Sequence, residues 1–140
     1  MEMTTRITKP VLGDIHAHAE STYPDECCGL LIADKDGRII ESTRMANAYP
    51  GARHARYDID PLEFLKVERA VARKGLSIAG VYHSHPDHPA MLSAFDLKNS
   101  FPWYSYVVVS VPRGTVGETR SWIPSDDRRT ASEDRMEVEE

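Results

Sequence analysis

The chain has 140 residues with 22 acidic and 17 basic side chains, so its formal net charge is -5 at pH 7. This length suits one domain with a sizeable buried core, and the acidic balance argues against a surface that binds nucleic acid. No apolar run reaches the ~20 residues that a membrane span needs, and residues 1–6 lack the apolar stretch of a signal peptide. We therefore expect a cytoplasmic protein that binds neither nucleic acid nor membrane.

The first elements are predicted to be a helix and a hairpin. Apolar residues recur at helical spacing over residues 10–21, after a proline suited to a first helical turn. The two histidines of this helix, His16 and His18, would lie about 200° apart and could not share an ion. Residues 26–33 then form an apolar core strand, which turns at residues 34–37 and returns over residues 38–43.

Two cysteines, Cys27 and Cys28, are adjacent in this core strand. A disulfide between neighbouring cysteines is strained, and no CxxC spacing for zinc or redox chemistry is present. We expect both to be buried apolar side chains.

The second half of the chain predicts alternating strands and helices that complete a mixed sheet. The expected elements, in chain order, are a loop over residues 47–56, a short strand over 57–59, a helix from Asp60 to Lys74, a strand over 76–82, a helix that starts at Ser93, a strand over 104–111 and a strand over 117–123. From residue 125 onward almost nothing can be buried, so residues 125–140 are expected to be a disordered acidic tail. This order predicts one domain over residues 1–124, of the α/β or the α+β class, with a mixed sheet flanked by helices.

The stretch from His83 to Asp96 predicts a metal site. In a strand, positions i and i+2 face the same side, so His83 and His85 can point at one ion while Ser84 faces away. The turn-rich loop that follows can bring the first turn of the next helix back, with Asp96 as a third ligand. Three protein ligands with a fourth position left to water are typical of a catalytic zinc. His88, in the same loop, is expected to face solvent.

Hydrolysis at such a site needs a base near the metal but not on it. Glu26 is the acidic residue at the head of the apolar core strand, which makes it the candidate; the alternative is a surface glutamate before a strand. Ser93 has two compatible roles, as the N-cap of a helix and as a hydroxyl that stabilises an oxyanion.

The sequence HSHPDHPAMLSAFD resembles the HxHPx(7)SxxD motif of the JAMM (MPN-plus, Mov34/PAD-1) metallopeptidases, and PDECCGLL resembles the glutamate-bearing strand entrance of that family. The likeness extends from about Ile7 to Ile123 and is closest to the compact bacterial and archaeal members. It implies a three-layer α/β/α fold of the cytidine-deaminase type with a curved mixed sheet. It also implies His83, His85 and Asp96 as Zn2+ ligands, Glu26 as general acid/base and Ser93 as oxyanion stabiliser.

The same resemblance implies a zinc peptidase or isopeptidase that cuts after the C-terminal Gly-Gly of a ubiquitin-like, β-grasp sulfur-carrier protein. The loop over residues 47–56 is a candidate wall of the substrate groove, where Arg53 and Arg56 could bind carboxylates.

Two other functions compete with the peptidase. A non-catalytic interaction module of the MPN fold is the main alternative, although such modules usually lack metal ligands and this chain has the whole set. A nucleoside deaminase would need a PCxxC pair and a glutamate two residues after its first ligand. His85 occupies that glutamate position and no PCxxC is present, so this function is excluded.

Overall fold

A computed structural model describes residues 4–140. Its elements, in chain order, are β1 (Thr4–Thr8), α1 (Lys9–Thr22), β2 (Cys28–Ala33), β3 (Ile39–Met45), α2 (Pro61–Ala72), β4 (Ser77–Pro86), α3 (Ala94–Lys98), β5 (Ser105–Val111), a 3-10 turn (Pro112–Gly114), β6 (Thr119–Pro124) and β7 (Ala131–Glu139). Within this range, no helix has the length and apolar character needed to cross a bilayer.

The seven strands form one mixed sheet in the order β1-β3-β2-β4-β5-β6-β7, and the sheet closes because β7 also pairs with β1. Strand β4 lies between β2, to which it is antiparallel, and β5, to which it is parallel. His83 therefore has Cys28 on one side and Val108 on the other. This register fixes the histidine strand from both sides.

Two apolar clusters cover opposite faces of the sheet, because successive side chains of a strand point to opposite sides. Leu31 and Tyr82 pack with Ile15 of α1 in one cluster. Leu30 and Val81 pack with Val71 of α2 in the other. The prediction of a mixed sheet flanked by helices is confirmed, but the sheet closes on itself rather than forming an open curved layer between helices.

The predicted helices are confirmed, and their end signals work as expected. The Asp60 carboxylate accepts the N–H groups of Leu62 and Glu63 at the start of α2. Gly75 follows the end of that helix with a φ of +75°, the left-handed conformation that favours glycine after a helix.

The histidines of α1 and the two cysteines also behave as predicted. His16 Nε2 lies 2.8 Å from Thr119 Oγ1, and His18 Nδ1 lies 2.7 Å from Tyr82 Oη, so the two rings serve different partners. Cys27 and Cys28 are free and buried.

The C-terminal segment differs from its prediction. Residues 131–139 form β7, which pairs antiparallel to β6 and parallel to β1, so the expectation of a disordered tail from residue 125 is wrong for this strand. The strand needs few apolar side chains, since its main chain is hydrogen-bonded on both edges. Its Asp134 is buried and accepts a 3.0 Å bond from Thr5 Oγ1, which in turn lies 2.8 Å from Ser121 Oγ.

Two smaller corrections concern other strands. Strand β1, Thr4–Thr8, was not predicted, since it gains its partners β3 and β7 only from distant parts of the chain. The short strand expected over residues 57–59 is instead irregular chain, held at one point by a 2.8 Å bond from the Ala48 N–H to the Asp58 carbonyl.

Candidate active site

Three buried donor atoms converge at the end of β4. His83 Nε2 lies 3.2 Å from His85 Nε2, and Asp96 Oδ2 lies 3.1 Å from each of these nitrogens. Two ligands on one tetrahedral zinc are ~3.3 Å apart, given Zn–N bonds of about 2.0–2.1 Å. The three atoms therefore have the spacing of ligands to a single ion, and the predicted trio is brought together.

The tautomer of His85 suits this arrangement. Its Nδ1 lies 2.9 Å from the carbonyl oxygen of Pro89, a group that can only accept, so Nδ1 carries the proton and donates. The lone pair of Nε2 is then free to face Asp96 and His83. A loop carbonyl thus fixes the tautomer in which Nε2 could bind a metal ion.

Helix α3 brings Asp96 to the histidines through a capping box at its first turn. Ser93 Oγ accepts the Asp96 N–H at 3.0 Å, and Asp96 Oδ2 accepts the Ser93 N–H at 2.9 Å. The predicted N-cap role of Ser93 is confirmed. The cap also orients the carboxylate, because the oxygen that accepts the Ser93 N–H is the one that faces both histidines.

Glu26 is the second carboxylate at this site. It lies just before β2, is only 3% exposed, and places a carboxylate oxygen within 4.8 Å of the ring nitrogens of His83 and His85. Its Oε1 is buried and has no hydrogen-bond partner among residues 4–140. Glu26 could therefore hold an ion together with the two histidines, but Asp96 Oδ2 is closer to their ring nitrogens, as expected if Asp96 is the third ligand.

Burial and charge act differently on the four titratable groups. Burial raises the pKa of the Glu26 carboxyl to about 8, although the nearby His85 opposes this shift. Burial would also raise the pKa of Asp96, but the charge and hydrogen bonds of His83 and His85 hold that pKa well below its usual value. Burial lowers the pKa of His83, whereas for His85 the bonds to Asp96 and Pro89 outweigh burial and raise the pKa. The site therefore favours an ionised Asp96 and a neutral His83, as metal ligation requires, whereas His85 would have to release the Nε2 proton that its bond to Asp96 favours.

Two residues of the site were not assigned a role from the sequence. Ser84 does face away from the histidine side, but its Oγ accepts the Cys27 N–H at 2.8 Å and its own N–H donates to the Cys27 carbonyl at 3.2 Å. This pair of bonds fixes β4 against the segment that carries Glu26. The Tyr57 ring stacks on His83, with centroids 4.5 Å apart. Nothing local in the sequence marks that contact, since it depends on where the irregular chain before α2 lies.

The arginines of the 47–56 loop are used mostly within the loop. Arg53 Nε donates to the Tyr49 carbonyl at 3.2 Å, and Arg56 Nη1 donates to Tyr49 Oη at 3.1 Å. The Arg56 guanidinium also lies 4.3 Å from the centroid of the Phe95 ring on α3. The polar contacts of both side chains therefore lie within the loop, and Arg56 also contacts α3.

Two grooves flank the converging donors. One, with a volume of about 330 Å³, is largely aromatic and opens onto Asp96. Its aromatic walls are Tyr57, Phe64, Phe95, Phe101, Tyr104 and Tyr106. The other is lined by Pro24, Asp25, His54, Pro86, Asp87 and His88. His88 is exposed, as predicted, and does not join His83, His85 and Asp96.

Residues 8–124 match the family of prokaryotic homologs of the JAB domain. The chain belongs to this family. The resemblance read from the HSHP stretch is therefore confirmed at the level of the family, and the JAB domain accounts for most of the described chain.

Individual JAB-domain relatives agree with this assignment. The chain is 30% identical over 101 residues to a desampylase of Haloferax volcanii, which covers 71% of this chain and 73% of the relative. It is 34% identical over 103 residues to a probable TtuB-protein conjugate cleaving protease of Thermus thermophilus, covering 73% of this chain and 67% of the relative. The crystal structure of a JAB1/MPN domain protein from Archaeoglobus fulgidus superposes with a TM-score of 0.65 over 97% of this chain and all of that chain, at 21% identity, which shows a shared fold.

Proposed function

We propose that this JAB-domain protein is a zinc peptidase that cuts after the C-terminal Gly-Gly of a ubiquitin-like protein of the sulfur-carrier type. The observation that carries the proposal is the triangle of His83, His85 and Asp96 donor atoms, 3.1–3.2 Å apart, with a buried carboxylate beside it. Support comes from the relatives, one named a desampylase and another a protease that cleaves TtuB–protein conjugates.

His83, His85 and Asp96 would hold the zinc, with a fourth position left for water or substrate. When bound, the ion supplies positive charge that lowers the pKa of water and polarises a carbonyl group. The capping box on α3 and the Pro89 carbonyl keep Asp96 and His85 aimed at one point without further rearrangement.

Glu26 would act as general base and then general acid. Its Oε1 has no competing hydrogen bond within the part of the chain that the structure describes, so it is free to accept a proton from the attacking water. Burial raises the pKa of this carboxyl to about 8, which suits a group that must both take and release a proton near neutral pH. The same carboxyl would then deliver the proton to the leaving nitrogen.

Ser93 would stabilise the negative charge that develops on the substrate carbonyl. Its Oγ accepts the Asp96 N–H, and this bond leaves the hydroxyl hydrogen available for donation. Capping and oxyanion stabilisation can therefore operate together.

The test uses zinc-loaded protein and β-grasp carriers that end in Gly-Gly followed by a short extension or by an isopeptide-linked lysine, with products followed by mass. Wild type is expected to release the group after Gly-Gly. The matched control is Glu26→Gln, which has nearly the same size and is expected to bind zinc but to lose about 10²- to 10⁴-fold in kcat. Absence of cleavage by wild type across such carriers, or full activity of Glu26→Gln, contradicts the proposal.

A further inference from the structure

The main chain of Glu26 is held by the 47–58 segment rather than by a neighbouring strand. The regular pairing of β2 with β4 begins at Cys28, so Glu26 lies outside the strand ladder. Its N–H donates to the Arg53 carbonyl at 2.8 Å, and its own carbonyl accepts from Asn47 Nδ2 at 3.1 Å. Both main-chain groups of the residue thus depend on the same loop.

Asn47 is the side chain that organises this loop. Its Nδ2 donates to the carbonyls of Glu26 and Arg56, both at 3.1 Å. Its Oδ1 accepts the N–H of Tyr49 at 3.0 Å and the N–H of Asp58 at 3.2 Å. All four hydrogen-bonding positions of the carboxamide are therefore used. The two donated bonds link Glu26 to Arg56, near the other end of the loop.

The loop is also fixed against the helix that carries Asp96. The Arg56 guanidinium lies over the Phe95 ring, and the Tyr49 ring meets that ring edge-on, with centroids 5.9 Å apart. Phe95 directly precedes Asp96 in α3. The Asn47 carboxamide thus joins the segment that carries Glu26 to a loop that rests on the Asp96 helix.

We propose that Asn47 is a positioning residue, which holds Glu26 at its working distance from the His83, His85 and Asp96 site through the bond from Nδ2 to the Glu26 carbonyl. The inference rests on the proposed function, in which Glu26 moves the proton. Loss of the donated bonds would let the Glu26 carboxyl drift while leaving the three metal ligands in place. A displacement of about 1 Å can cost ~10²-fold in rate.

The test is Asn47→Asp, which keeps the shape of the side chain and an oxygen for the N–H groups of Tyr49 and Asp58. It replaces the donor NH2 by an oxygen that faces two carbonyls, so the bonds to Glu26 and Arg56 are lost. Asn47→Ser is a second variant, which removes the carboxamide without adding a charge. Tyr49→Phe is the matched control, because it removes only the hydroxyl contact with Arg56 in the same loop.

Two readouts separate positioning from a merely structural role. The first readout is the kcat and KM of the zinc-loaded protein. The Asn47 variants are expected to lose roughly 10- to 100-fold in kcat, with an unchanged KM and an unchanged zinc content. Tyr49→Phe is expected to match wild type. The second is amide hydrogen exchange by NMR. The Glu26 N–H donates to the Arg53 carbonyl of the same loop, so it reports whether the loop stays on Glu26 once the bond from Asn47 to the Glu26 carbonyl is lost. In the variants it is expected to exchange faster by roughly threefold to tenfold, the worth of about one hydrogen bond, while the Cys27 N–H, which is bonded to Ser84 Oγ, keeps its rate.

An unchanged kcat in folded, zinc-loaded Asn47 variants overturns the inference, as does an unchanged exchange rate at Glu26. If wild type cuts no Gly-Gly carrier, the proposed function fails, and the exchange rates alone then decide whether Asn47 holds Glu26.

Discussion

At the scale of single residues, two carboxylates face the same histidine pair and are held in opposite ways. Asp96 Oδ2 accepts a main-chain N–H from Ser93 and lies 3.1 Å from both rings, so its position and its charge are fixed. Glu26 Oε1 is buried without a hydrogen-bond partner in the described range. An unsatisfied buried oxygen costs stability, and such a cost is expected where a group must stay free to exchange a proton.

Ser93 allows the capping and catalytic roles to be separated by one substitution. Ser93→Gly removes the hydroxyl but leaves a residue that is tolerated at an N-cap, so the loss in unfolding free energy is expected to be a few tenths, about 0.3 kcal/mol. The kcat is expected to fall about 10²-fold or more, the cost of one oxyanion donor. Urea denaturation and steady-state kinetics on the same preparation measure the two effects. An unchanged kcat would leave Ser93 as a helix cap alone.

His83, His85, Ser93 and Asp96 were predicted from the sequence because each carries a local signal. Alternation along β4 put His83 and His85 on one face, and the capping pattern placed Ser93 and Asp96 at a helix start. The roles of Ser84, Tyr57 and Asn47 could not be predicted in this way, since each acts through a partner that is distant in the chain and brought close only by the fold.

At the scale of elements, β4 and β5 approach so closely that one position tolerates no side chain. A Cβ on Gly80 would lie 1.8 Å from the main-chain oxygen of Ser105, with which it is paired. Main chain cannot move aside without breaking the pairing, and β4 leads directly to His83. The absence of a side chain at Gly80 is therefore part of what places the histidines.

Gly80→Ala is accordingly expected to lower the unfolding free energy by about 3 kcal/mol, at the upper end of the usual cost of overpacking. The matched control is Gly13→Ala on α1, where nothing lies within 4 Å of the added carbon. In a helix this change is expected to stabilise by about 0.5–1 kcal/mol. Thermal unfolding of both variants makes the comparison. Equal stability of Gly80→Ala and wild type would contradict the close approach of the two strands.

Helices and central strands were predicted better than β1 and β7, whose pairing closes the sheet and is called the seam here. Helices α1 and α2 carry their periodicity and end signals within a short stretch. Strand β7 is polar and resembles a disordered tail, and β1 is short; both are stabilised by pairing with each other, which no local pattern reports.

At the scale of the whole molecule, the closing seam contains a buried polar trio of Thr5, Ser121 and Asp134. Burial raises the pKa of Asp134 above its usual 3.8, against the lowering effect of the Thr5 bond. The folded state therefore binds this proton more tightly than the unfolded state. The stability that this group contributes is fully present below about pH 3.8 and is lost as the pH rises through the raised value.

Asp134→Asn keeps an oxygen for the Thr5 hydroxyl and removes this titration. We expect its stability to fall less than that of wild type as the pH rises from about 4 to about 7, with a higher urea midpoint at the upper end. Urea titrations of both proteins across this pH range measure the difference between their unfolding free energies. The other titrating groups contribute equally to both proteins, so they cancel in this difference. Parallel pH profiles for the two proteins would show that Asp134 does not titrate differently on folding.

The closed sheet also constrains the order in which the protein can be made. Thr5 and Asp134 are 129 residues apart in the chain, so the seam combines strands that are synthesised far apart in time. Contacts of such long range form slowly. Until β7 emerges, β1 and β6 each present an unpaired edge that can pair with another chain. Strand β4 and its neighbours β2 and β5 are synthesised before that moment, so a nascent chain can bring His83, His85 and Asp96 together while the edges of β1 and β6 are still unpaired.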